Sequence, residues 1–406
     1  MILFVFILIV MISIIGVASA SDVIEDDSTT MPTLTSNENV YTENIDSDEA
    51  GSDSRNQKNS FKDLNSEISG SNEVNLTKDY FFDEENDLDY NDGIIIKDRE
   101  SLVINGNNHT INANNLATIF DIDSSNVVFN NIVFRNSNKT ALSIDNSIVI
   151  SNNNLFINNM NNSRALKASD SSLYSSNDCF VDNFHKKYGS SIYVDDTDLV
   201  IVNATFSNKY SLSWALVYVE GTSNARIINT TFINITAKYT PAIYFDSAQG
   251  TVSNCMFKNL TALLTGGAIG VKNVDGKVSI INSSFIDVSS SKNGGAIFVD
   301  LDQNDIEGNV LLKDCLFDSC YSMMGGAYLQ LGGTLTIDNT TFRNNNAYME
   351  GGAVYTSFND LNIYNSTFED NKIFLDDDYY SRGGALYLDM TTLVMKDSLF
   401  TGNNAT

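Results

Sequence analysis

One phrase recurs along this chain: two or three apolar residues in alternation, an Asn or Asp, two small residues, Phe, and then Asn or Asp two or three positions on. It reads LTIDNTTFRNN from Leu335, LNIYNSTFEDN from Leu361, LVIVNATFSN from Leu199 and LVMKDSLFTGN from Leu393. Its phenylalanines are Phe134, Phe156, Phe180, Phe206, Phe232, Phe257, Phe285, Phe317, Phe342, Phe368 and Phe400, spaced 22 to 32 residues apart. A period of that size held over so many cycles marks a solenoid, in which each repeat buries its apolar face only against its neighbours.

Each cycle holds about three short segments of period 2 and no long stretch of helical periodicity, which excludes helical repeats. Equivalent phrases stacked one coil apart run parallel, with like side chains in columns. The expectation is an all-β, right-handed, single-stranded parallel β-helix of about 11–13 coils, the hand following from the general preference of parallel crossovers. Phe, Ile and Leu columns would fill its interior, and Asn after Phe would form an amide ladder at the turn. A leucine-rich repeat shares the period, but the place of its convex-side segment is taken here by strands.

Those strands are introduced by glycine pairs: Gly266 and Gly267, Gly294 and Gly295, Gly325 and Gly326, Gly351 and Gly352, Gly383 and Gly384, each followed by Ala. Paired glycines suit a turn of positive φ and a close approach of backbones in adjacent coils. Insertions fall between strands, as at Asp300 to Gly308 and at Phe374 to Tyr380.

Residues 1–20 are apolar up to Val17 and end in Ala18, Ser19 and Ala20, a signal-peptide pattern. Export is expected, with membrane contact only through this segment if it stays uncleaved. Residues 21–72 turn acidic and rich in Ser and Asn, as at Glu25, Asp26 and Asp27. Such a composition buries too little to offset its ordering entropy, so a disordered linker is expected there. The β-helix is expected over residues 73–406, and the last phrase stops short of its glycine pair, which suggests coils continuing past Thr406.

The formal net charge of −27 argues against nucleic acid as a partner, since phosphates need a basic stripe. Only two prolines occur, as long hydrogen-bonded ladders require. Cys179, Cys255, Cys315 and Cys320 match no disulfide framework or zinc site. Export would permit a Cys315–Cys320 bridge, but small apolar core residues are the favoured reading.

The Gly-Gly-Ala-Ile and Phe-x-x-Asn phrases resemble the polymorphic outer-membrane-protein repeats of chlamydial type. With the leader, the acidic spacer and the segment VINGNNHTIN from Val103, the chain is still more similar to adhesin-like surface proteins of methanogenic archaea. The resemblance covers Glu73 to Thr406 and implies display at the cell surface and adhesion. The partners it implies are a host or neighbouring cell surface, glycans or matrix protein. The chain lacks the C-terminal outer-membrane barrel of the chlamydial type.

Tyr193, Tyr244, Phe298, Tyr355 and Tyr387 share the position two after the motif alanine or its equivalent. Alternation puts that column outside if the preceding Ile and Leu face inward. It would stack on sugar rings or a partner, or else simply brace one coil on the next. Asn75, Asn138, Asn203, Asn229, Asn234, Asn259, Asn282, Asn339 and Asn365 begin Asn-x-Ser/Thr triplets, acceptors for N-glycosylation in a host that has the machinery. The repeat consensus alone would also produce several of them.

Acidic turns such as Asp195, Asp196 and Asp198, or Asp376 to Asp378, lack the spacing of a calcium loop. His109 and His185 read as turn residues. Hydrolysis of a polysaccharide would need two carboxylates about 5 to 9.5 Å apart. The acidic turns belong to distant coils, so no catalytic residue, cofactor, metal or enzymatic activity is expected. The function expected is adhesion through variable turns and outer faces, against a carbohydrate-active enzyme or an envelope spacer.

Overall fold

Three parallel sheets, here called A, B and C, are wound by a chain that passes through one strand of each per coil. Sheet A runs from Glu73–Asn75 to Thr392–Lys396 in 13 strands, and sheet C from Ile94–Lys97 to Leu386–Asp389 in 12. Sheet B runs from Tyr80–Phe81 to Leu399–Thr401 and takes in three further short strands off its main path. This computed structural model describes residues 59–405 apart from 161–162, 209, 213, 275, 302–307 and 375–380. The expected leader at 1–20, most of the linker, the insertion around Asp302 and the acidic run Asp376 to Asp378 lie outside the described residues.

Phenylalanine sets the register of sheet B. The eleven rings from Phe134 to Phe400 form one continuous stack, with centroids 4.6 to 5.1 Å apart and planes within 15° of parallel. All but Phe400 are fully buried. A strand that slipped by one residue would turn its Phe to solvent, losing roughly 1.5–3 kcal/mol of burial as well as the stack. Sheet C contributes the facing interior column, in which Ile192, Val217, Ile243, Ile269 and Ile297 follow one another in register.

The corner after sheet B exists in two forms, according to the residue three past Phe. Where it is Asn the amides stack inside: Asn159 Nδ2 donates to Asn183 Oδ1 at 2.8 Å, Asn345 to Asn371 at 3.0 Å and Asn371 to Asn403 at 2.9 Å. In the coils between, the place is taken by Ile235, Leu260 and Val288, all buried. With no amide to redirect the backbone, the strand runs on, to seven residues in Thr231–Ala237, Met256–Ala262 and Ser284–Ser290.

Each glycine of a pair has its own cause. The first, at 266, 294, 325, 351 and 383, has φ between +56° and +82°. Neither can hold a Cβ: on Gly294 it would strike the Ile297 carbonyl oxygen of its own turn, and on Gly295 the Gly326 carbonyl oxygen of the next coil.

A helix, Phe61–Ser69, stands where the composition suggests disordered linker. Ser60 and Asp63 close a capping box, and the fully buried Asp87 carboxylate accepts the N–H groups of Phe61 and Lys62, both at 2.9 Å. Phe61, Leu64 and Ile68 line one face and join the main core over the first coil. Three apolar residues at helical spacing suffice here because the coil beneath supplies the apolar surface they need. At the other end, strand Thr392–Lys396 is exposed throughout.

All four cysteines are free thiols. Cys315 sits at the corner between sheets A and B, and Cys320 in the amide-ladder column, its N–H donating to Asn345 Oδ1 at 3.0 Å. The Cys315–Cys320 bridge is therefore not formed. Burial pushes the thiols of Cys255 and Cys315 up to about 12.

Candidate functional site

The column containing Tyr193, Tyr244, Phe298, Tyr355 and Tyr387 lies on the outer surface of sheet C, since its neighbours along each strand point inward. It is not continuous. In register order it reads Tyr193, Tyr218, Tyr244, Gly270, Phe298, Leu329, Tyr355, Tyr387. Gly270 is bare because the Tyr244 ring occupies the space of a Cβ there. Two aromatic patches result.

The larger patch is a small core of its own. Tyr218 and Tyr244 stack at 5.2 Å, Tyr193 follows Tyr218 at 5.9 Å, and Tyr188 leans on Tyr218 at 4.7 Å. Trp214 meets Tyr244 edge-on at 5.3 Å and stacks flat on Tyr239 at 4.2 Å. Tyr188, Trp214 and Tyr239 come from the connections between sheets B and C, which fold back over the sheet. Packing among these rings leaves Tyr218 only 3% and Tyr244 6% exposed, whereas Tyr193, Trp214 and Tyr239 keep open edges.

Carboxylates flank this patch. The Tyr193 hydroxyl donates to Glu220 Oε2 at 2.7 Å, and the Tyr218 hydroxyl to Asp246 Oδ2 at 2.7 Å. Glu220 and Asp246 are in register on adjacent coils. Burial first, then these carboxylates, holds the phenols of Tyr193 and Tyr218 well above their ordinary range. The Arg164 guanidinium lies over the other face of the patch, 4.8 Å from the Tyr193 centroid. The second patch is Tyr355 stacked on Tyr387 at 5.1 Å, with Arg382 beside Tyr387.

The other expected residues are explained by the backbone. Asn203, Asn229, Asn282, Asn339 and Asn365 are exposed corner residues between sheets A and B with φ of +45° to +55°, a conformation asparagine tolerates well. Their amides run in an outer ladder, as where Asn282 donates to Asn254 at 2.7 Å and Asn339 to Asp314 at 2.7 Å. Asn234 and Asn259 repeat the arrangement within sheet B, Asn259 donating to Asn234 at 2.8 Å. Asn75, exposed, accepts from Asn105 at 3.0 Å, and Asn138 is half-buried.

His109 contacts Asp79 Oδ1 at 3.0 Å, and His185 Nδ1 accepts the N–H groups of Lys187 and Tyr188. Burial, and then the charge of Arg164, pulls His185 down to about 4. A shallow groove of about 460 Å³ over the corners from sheet C to sheet A is lined by polar residues such as Asp170, Asp196 and Thr222 and holds no aromatic ring. Among the described residues no three His, Cys, Asp or Glu side chains converge as a metal-binding group would.

The family described as a right handed beta helix region matches residues 215–406. The fold is a right-handed parallel β-helix. No curated protein matches the chain. A similar solved structure is that of an alginate lyase, AlyF-OU02, in complex with G6, at 12% identity and a TM-score of 0.39, covering 79% of this chain and 86% of that one. That likeness concerns the fold alone. The expectation that the chain has no enzymatic activity is nevertheless withdrawn: a polysaccharide-acting enzyme is among the matches to this β-helix, and the scaffold excludes no chemistry.

Proposed function

We propose that the protein is a secreted or surface-displayed adhesin-like β-helix that binds carbohydrate on cells or matrix through the outer face of sheet C. The observation carrying this reading is the partly open aromatic surface of Tyr193, Trp214 and Tyr239, which rests on the buried Tyr218 and Tyr244 and stands beside hydrogen-bonded carboxylates. Sugar recognition needs such a combination, apolar faces for the ring C–H groups and acceptors for the hydroxyls. The resemblance of the repeats to archaeal surface adhesins and the apolar leader agree with it. Binding of the purified full chain to a panel of immobilised polysaccharides tests the reading, with Trp214→Ala and Tyr239→Ala expected to weaken retention about tenfold or more. Unchanged retention in both variants would remove the patch from the binding surface.

A second reading, polysaccharide cleavage, is favoured by one observation: Glu220 and Asp246 are neighbours on adjacent coils, each held by a tyrosine hydroxyl. The same panel scored for new reducing ends or unsaturated products separates the two. Cleavage lost in Glu220→Gln would establish an enzyme.

A further inference from the structure

Arg164 begins strand Arg164–Ser169 of sheet C and lies under the aromatic patch. Its Nε donates to the Tyr188 carbonyl at 3.0 Å, and its guanidinium covers Tyr193. Burial lowers its pKa to about 10. A half-buried cation packed on an aromatic ring commonly has a counter-charge, and a chain with 51 acidic residues against 24 basic ones could readily supply it. Among the described residues, however, Arg164 takes part in none of the ion pairs.

Arg382 makes the comparison within the same molecule. It lies 5.9 Å from the Tyr387 centroid in the second patch, and its charge is met by Glu350 at 3.7 Å. At Arg164 the neighbouring carboxylate, Glu220, is taken up by the Tyr193 hydroxyl. Lys167 is paired in register with Tyr193, and Lys187 is exposed on the connection that carries Tyr188. With Nε engaged, the terminal guanidinium N–H groups still present the planar fork that fits a carboxylate or sulfate with two parallel hydrogen bonds.

We infer that Arg164 is a binding residue for an anionic substituent on a sugar that packs on the open edges of Tyr193, Trp214 and Tyr239, so that the ligand is an acidic polysaccharide. This rests on the carbohydrate reading above and adds the charge of the ligand. Carboxylate and sulfate share the required chemistry, and the choice of polymers separates them.

The test compares binding of the full chain to a polyuronate, a sulfated polymer and a neutral glucan, for the wild type, Arg164→Gln, Arg164→Lys and Trp214→Ala. The wild type is expected to prefer one of the two acidic polymers over the neutral one. Arg164→Gln should reduce that preference about tenfold, with Arg164→Lys intermediate because it keeps the charge and loses the fork. If Arg164→Gln does not fold, as judged by its melting curve, Arg164→Lys supplies the reading by the same measure. Preference unchanged in both Arg164 variants, with binding lost in Trp214→Ala, would overturn the anion subsite and leave the aromatic platform standing. No binding to any polymer would overturn both.

Discussion

The Tyr193 hydroxyl is hydrogen-bonded to Glu220, one coil further along, and the Tyr218 hydroxyl repeats the arrangement with Asp246. Each bond therefore ties two coils together on the outside of sheet C, where backbone pairing already joins them. A phenol donating to an ionised carboxylate contributes about 1.5–3 kcal/mol when shielded from water, and less at a half-exposed position. Tyr218→Phe is expected to lower stability by about 1–2 kcal/mol and Tyr193→Phe by less, measured by urea unfolding. Equal and negligible losses would show that the hydroxyls bond as well to water.

The phenylalanine stack gives a positional prediction. Phe232→Ala removes a fully buried ring with a ring on each side, and a loss of about 3–5 kcal/mol is expected. Phe400→Ala, at a ring 38% exposed and stacked on one side only, should lose less than half as much in the same denaturation experiment.

The glycine pairs separate two physical causes at adjacent residues. Gly294→Asn keeps a residue type that accepts positive φ but brings a Cβ against the Ile297 carbonyl oxygen of its own turn, and should cost about 1–3 kcal/mol. Gly295→Ala forces a methyl group into the backbone of the next coil and should cost about 1–3 kcal/mol or more. Thermal unfolding of the two variants checks both losses, and a negligible loss in Gly295→Ala would mean that the coils can separate locally.

Asp178 supplies a pH dependence. Its carboxyl is almost fully buried at the corner between sheets A and B, accepting from Asn154 N at 2.7 Å and Ser175 Oγ at 2.7 Å. Burial raises its pKa to about 7 against these bonds, which lower it. A carboxyl whose folded pKa exceeds its unfolded one favours folding at low pH. Its contribution is present below the unfolded pKa of about 4 and is lost as pH rises through about 7, at up to about 1.4 kcal/mol per unit. Asp178→Asn, with the residue that its neighbour Asn154 already represents, should remove this component. The stability difference between the two proteins should grow in favour of the variant from pH 4 to pH 7 and then level off.

The coil period, the phenylalanine column and the glycine pairs were legible because each is a repeated demand of one backbone position. What sequence reasoning missed lies off the period. Tyr218 belongs to the outer column, but in its coil Leu216 stands where the motif alanine or its small equivalent would be, so the count that marked the others passed it by. Arg164, Tyr188, Trp214 and Tyr239 adjoin or occupy connections of unequal length, where no register could be counted. The helix at Phe61–Ser69 left a trace, Ser60 with Asp63 and apolar residues at 61, 64 and 68, inside a stretch whose overall composition argued for disorder. Glu220 and Asp246 were not singled out, although one turn of the solenoid brings 26 positions back to a single neighbour and sets the two side by side.

The stacked phenylalanines also make the molecule divisible. Because each ring meets equivalents above and below in nearly the same geometry, a cut through one coil and a join to the next restores the contact that was removed. Excising the 25 residues from Phe232 to Met256 would bring Thr231 onto Phe257 and leave the same strand order, with the column shorter by one ring. The number of coils is thus an adjustable length, and the distance over which aromatic rings are displayed on sheet C can change without any redesign of the interior.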